Sequence, residues 1–274
     1  MSAQTRTADP RTADRPAPPT TGPLAGAVAA EWTKLWSVRS TWWTMLAAVL
    51  LTAVTNLQLA IYAVNANTND DPADDPGTVT VGSVVIDSLE LTQYAVLALG
   101  LLAMTAEFGT GTLRTTLRCT PSRGRVLLAK AAVTGAVTYA LGLLLGGVGA
   151  LVAAVVLGEW GEAPLGGTAR DVAASAAYLA LVGVLALGLG AVLRSPVLTV
   201  IVLLALLMIV PLSLQEPGIT ALTRIADGFP GVAGAHFLAG DTDPYPPVVG
   251  LLLLAGWTAA ALVAARAALR HRDA

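Results

Sequence analysis

Residues 107–130 read EFGTGTLRTTLRCTPSRGRVLLAK and lie between two long apolar runs. Five basic residues, Arg114, Arg118, Arg123, Arg125 and Lys130, crowd into this one connection. Elsewhere charge is scarce: 12% of the 274 residues are charged and 55% are hydrophobic, with a mean hydropathy of +0.68. A soluble globular domain carries about 25% charged residues. The chain therefore has the composition of an integral membrane protein, and the basic stretch belongs where water reaches it.

Working outward, six segments approach the ~20 apolar residues that a helix needs to cross a bilayer. They are 44–64, 89–106, 131–157, 172–193, 195–214 and 248–269. The second carries Glu90 near its outer end. The fifth follows the fourth after only Arg194 and Ser195 and contains Pro211, which predicts a kink. Fusing these two runs into one long insertion is the alternative. The expected fold class is all-α, with six transmembrane helices in one domain over residues 24–274.

Orientation follows from the basic residues, which accumulate on the cytoplasmic side. With both termini cytoplasmic, fourteen of the sixteen basic residues fall inside, leaving Arg170 and Arg224 outside. The opposite connection after the first span holds Asp70, Asp71, Asp74, Asp75 and Asp87 and no basic residue. Fixing topology is thus a sufficient role for the charges of residues 107–130.

Residues 1–23, rich in Pro, Thr, Ala and Arg, are expected to form a disordered cytoplasmic tail. They show neither the apolar core of a secretory signal nor a Met-Gly start. Then comes LAGAVAAEWTKLWSVRSTWW. On a helical wheel Leu24, Ala25, Val28, Trp32, Leu35 and Trp36 share one side, and Ala27, Ala30, Glu31 and Lys34 the other. This predicts an N-terminal interfacial helix with Glu31 and Lys34 facing water and Trp42 and Trp43 at headgroup depth. In the third span Gly142, Gly146, Gly149 and Ala150, and in the fourth Gly183, Gly188 and Gly190, mark close helix packing, within the chain first and between copies second.

No span has a charge near its centre, which removes the usual sign of an ion pathway. The polar groups are Thr52, Thr55, Asn56 and Gln58 in the first span, and Glu90, Thr92, Gln93 and Tyr94 in the second. Hydrogen bonding between helices is their default use. A weakly polar translocation lining of Thr52, Thr55, Asn56, Gln58, Glu90 and Gln93 is the sharper one. One cysteine and two distant histidines offer no metal-ligand spacing, and a net charge of -2 gives no general attraction to nucleic acid. Between Gln215 and Pro247 a short re-entrant or surface helix is expected around 219–225.

With this layout in view, residues 107–130 show an acidic residue closing the second span, Gly-Thr, a short basic helix, a Thr-Pro-Ser-Arg turn and a Lys opening the third. This resembles the first cytoplasmic loop of ATP-binding-cassette (ABC) type-2 transporter permeases, particularly the six-span kind common in actinobacteria. The matching positions are Glu107, Gly111, Thr112, Leu117, Pro121, Arg123 and Lys130. The stretch EWTKLWSVRS is similar to the same family's first interfacial helix, so the likeness runs from about residue 24 to the end. Fourteen Arg against two Lys fits a high-GC genome.

The resemblance implies a type-2 exporter permease fold in a bacterial plasma membrane. It also implies a coupling helix that docks on a cytoplasmic nucleotide-binding subunit through Glu107, Gly111, Thr112, Arg114, Leu117, Arg118, Pro121 and Arg123. Thr110 or Thr112 is placed to cap such a helix, Arg114 and Arg118 share its face, and Pro121 ends it. The chain has no G-x-x-x-x-G-K-[ST] phosphate loop. ATP and Mg would therefore sit on the partner ATPase, and this chain binds no cofactor itself. Two permease copies would pair as a homodimer in membrane lipid, with the path between their first, second and fifth spans. A hydrophobic drug, antibiotic, peptide or lipid is the expected substrate. The competing readings are a secondary transporter, an intramembrane enzyme and a non-transporting anchor or immunity protein. The first lacks a mid-membrane carboxylate and the second lacks partners for His236 and His271.

Overall fold

The computed structural model describes residues 24–69, 76–110 and 123–271. Among them lie helices α1 (Leu24–Ser37), α2 (Arg39–Thr68), α3 (Val81–Thr110), α4 (Arg123–Leu157) and α5 (Leu165–Leu193). After these come α6 (Pro196–Gln215), α7 (Thr220–Ala226), α8 (Pro230–Ala239) and α9 (Pro247–His271). Six of them, α2 to α6 and α9, are long and apolar enough to cross a bilayer. The protein is thus an all-α, multi-pass membrane protein. The 1–23 tail lies outside the described residues.

Helix α5 is the hub, packed against α3, α4 and α9, and 67% of its most apolar window is buried. Small residues permit this. A Cβ on Gly100 would stand 2.2 Å from the carbonyl oxygen of Gly183, so α3 and α5 touch backbone to backbone. A Cβ on Gly142 would stand 2.7 Å from Cα of Ala176, which brings α4 equally close to α5. The glycine spacings therefore serve packing within the chain, as the first of their two expected uses requires. Leu145, Leu179, Val182, Leu185 and Val96 fill the core between these contacts.

Three boundaries differ from the sequence expectation. Helix α3 begins at Val81, well before residue 89, because VGSVVIDS continues the helix; Asp87 and Glu90 are thereby carried on the helix, both exposed. Helices α5 and α6 are separate. Arg194 adopts a left-handed conformation (φ 55°), and the Ser195 side chain accepts a hydrogen bond from the Leu198 N–H, with Pro196 opening α6. The disturbance near Pro211 is a π turn at Ala205–Ile209, one turn before the proline, where the missing N–H leaves the carbonyl ladder to re-pair.

The 219–239 segment forms two short helices. Its glycines seat it on the bundle: Gly231 lies against the Leu207 carbonyl and Gly234 against the Tyr178 ring. Trp257 Nε1 donates to the Gly228 carbonyl (2.9 Å) and Tyr245 Oη to that of Asp227 (2.6 Å). At this same end, residues Val79–Thr80 (β1) and Gly161–Glu162 (β2) form a two-residue parallel pair.

The opposite end gathers α1, the end of α3, the start of α4 and the end of α9. Arg123 there bonds the carbonyls of Leu269 and Arg270, holding a cation against the C-terminus of α9. Both flanks of the 107–130 stretch and the two chain-terminal helices thus share one end of the bundle, as the charge count requires.

Candidate functional site

The end that holds α1 contains the densest charge cluster among the described residues. Lys130, on the first turns of α4, is 4% exposed and pairs with Glu31 Oε2 of α1 at 2.5 Å and Glu107 Oε1 of α3 at 2.8 Å. Its third proton goes to the Ala103 carbonyl at 3.2 Å. Lys34 pairs with Glu31 Oε1 at 2.8 Å and with Glu107 Oε1 at 3.2 Å. Two carboxylates and two ammonium groups cancel, so the cluster is neutral.

This arrangement corrects the wheel of α1. Glu31 was expected to face water, yet it is 6% exposed, while Trp32, expected on the apolar side, is 47% exposed. The reason is pairing: a carboxylate costs several kcal/mol to bury alone, but Lys130 and Lys34 compensate it. Trp32, Trp42 and Trp43 then stand outward, where an amphipathic ring suits a membrane surface. Burial pulls the Lys34 pKa down, but hydrogen bonds and charge from Glu31 and Glu107 outweigh it and hold the ammonium above its ordinary value.

Of the expected coupling residues, Glu107 sits in this cluster and Arg123 grips the end of α9. Gly111, Thr112, Arg114, Leu117, Arg118 and Pro121 lie outside the described residues. The cluster thus clamps both flanks of that stretch, at Glu107 and Lys130, onto α1. Sequence reasoning singled out both residues but not their partner Glu31, which was read as solvated.

The expected lining residues divide in two. Thr52, Thr55 and Asn56 of α2 are buried, bonding carbonyls one turn back, and Thr52 also meets Thr92 at 3.4 Å. Gln93 of α3 accepts a hydrogen bond from the fully buried Tyr178 of α5. Asn56 packs over Gly149, and its Oδ1 has no bond among the described residues. Gln58 and Glu90, by contrast, are exposed on the outside of the chain. Within one copy the six do not converge on a common path.

Beside the cluster lies a cavity of about 110 Å³, lined by Glu31, Lys34, Glu107 and Lys130 on one wall and by Leu35, Val38, Leu99, Leu102 and Val133 among others. No protein-family model matches the chain, and no curated protein matches it by sequence. 

Proposed function

We propose that this chain is the membrane-spanning permease subunit of an ABC exporter, driven by ATP that a separate nucleotide-binding subunit hydrolyses. The observation that carries the reading is the charge cluster, which ties Glu107 and Lys130, the flanks of the basic 107–130 stretch, to α1. A loop meant only to fix topology needs basic residues near water. It does not need both flanks locked to a third helix by buried ion pairs. A rigid mount is what a docking loop requires if movement of a partner is to reach the spans.

The exposed faces support a second copy. Helices α2 and α6 bury only 28% and 22% of their apolar windows. Gln58 on α2 and Asp87 and Glu90 on α3 are exposed, and polar groups at membrane depth turn toward protein or water, not lipid. Pairing of two copies through α2, α3 and α6 would enclose these groups and form a weakly polar path, suited to a hydrophobic drug, antibiotic, peptide or lipid. The basic loop would then face the cytoplasm of a bacterial cell.

The test is to purify the tagged protein from native membranes in mild detergent and measure whether an ATP-hydrolysing subunit accompanies it in equal amount. Recovery of that partner, and its loss in Arg114→Glu/Arg118→Glu, supports the reading. A stable protein without a partner moves the assignment to a secondary carrier or an anchor.

A further inference from the structure

The cavity beside the charge cluster has one chemical asymmetry. Of the four carboxylate oxygens of Glu31 and Glu107, three accept bonds from Lys34 or Lys130. The fourth, Oε2 of Glu107, is buried and accepts none among the described residues, although Glu107 is only 9% exposed. A buried anionic oxygen without a donor is costly, because it keeps its desolvation penalty without a compensating bond. It lines the cavity, so a donor arriving there would satisfy it.

Location identifies the donor's source. The mouth of the cavity is formed by Val38, Ser40 and Thr41, between α1 and α2, and Val38 is 48% exposed. Trp32, Trp42 and Trp43 stand exposed around it, which marks this level as membrane headgroup depth. Beyond the charged wall the lining is apolar, with Leu35, Leu99, Leu102 and Val133. At about 110 Å³ the space exceeds several waters at ~30 Å³ each and fits an aminoethyl group.

We propose that this cavity binds a phospholipid carrying a primary ammonium headgroup, from the leaflet that α1 contacts. The ammonium donates to Glu107 Oε2 and meets a cluster whose own charges cancel, so the pocket as a whole gains one cation beside one unmatched acceptor. The lipid phosphate stays at the mouth, on the Lys34 and Ser40 side, and the glycerol and acyl chains leave past Val38 into the bilayer. A quaternary trimethylammonium headgroup has the same charge and no N–H to donate. The proposal rests on the six-span reading and not on coupling to an ATPase.

The experiment reconstitutes the purified full chain into nanodiscs containing phosphatidylethanolamine and phosphatidylcholine in equal amounts with a constant fraction of phosphatidylglycerol. Lipid retained after release into detergent is measured by native mass spectrometry. The wild type is expected to retain the ethanolamine lipid about tenfold over the choline lipid, the value of one charge-assisted hydrogen bond. Glu107→Gln is expected to abolish the preference. Because that change also touches the ion pairs, Val38→Trp is measured beside it: it fills the mouth and leaves all four charged residues in place. Equal retention of both lipids by the wild type, or a preference that survives either substitution, overturns the proposal.

Discussion

Glu31 and Lys130 stand 99 residues apart in the chain and 2.5 Å apart in space. Their contact, completed by Glu107 and Lys34, makes the interfacial helix part of the bundle where the sequence alone suggests a float on its surface.

Breaking that contact from one side will leave an uncompensated charge in a site that excludes water. Lys130→Met is expected to cost about 3–5 kcal/mol of stability, read as a lower unfolding temperature of the detergent-solubilised protein. Adding Glu31→Gln to it should recover part of the loss, since the orphaned carboxylate goes too. A double mutant no better than the single one would show that Lys130 acts through Glu107 alone.

The cluster also sets a pH dependence. The Lys34 pKa is raised in the folded chain, so the folded state holds that proton more tightly than the unfolded chain does. The stabilisation is therefore full below 10.5, the ordinary value, and is lost as pH climbs through the folded one. Unfolding temperature should fall more steeply above pH 10.5 in the wild type than in Lys34→Met. Parallel curves would refute the link.

Backbone contact between α3 and α5 makes Gly100 intolerant of any side chain. Gly100→Leu places its first carbon where the Gly183 carbonyl stands, and folded protein should be lost from the membrane. Gly147→Leu, on a face where nothing lies within 4 Å, should accumulate as the wild type does. The comparison is read by fluorescence-detected gel filtration.

Tyr178 and Gln93 form one buried pair across α3 and α5. Tyr178→Phe should cost about 1 kcal/mol, in the range found for hydrogen bonds between membrane helices, and Gln93→Leu in addition should cost little more. Additive losses in the double-mutant cycle would mean that the two side chains act independently.

Much of the fold was legible because the bilayer demands long apolar helices: each expected run from 44–64 to 248–269 lies within an observed span. What failed was local. The start of α3 was missed because Asp87 and Glu90 interrupt the apolar run, although neither residue breaks a helix. The facing of α1 was missed because a helical wheel sees only its own residues, and the partners that admit Glu31 to the interior lie on α3 and α4. Of the polar residues taken as lining, Thr52, Thr55 and Asn56 turned inward because each can bond a carbonyl one turn back. Nothing in the spacing distinguished them from Gln58, which faces out.

The pairing of Glu31 with Lys130 also orders events during synthesis. The ribosome releases Glu31 99 residues before its partner, after α2 and α3 have already left the exit tunnel. Until α4 begins, no lysine from that helix is present to neutralise Glu31, so α1 waits at the membrane surface. It turns inward only when the third span starts to insert, so the first helix made is among the last to reach its final place.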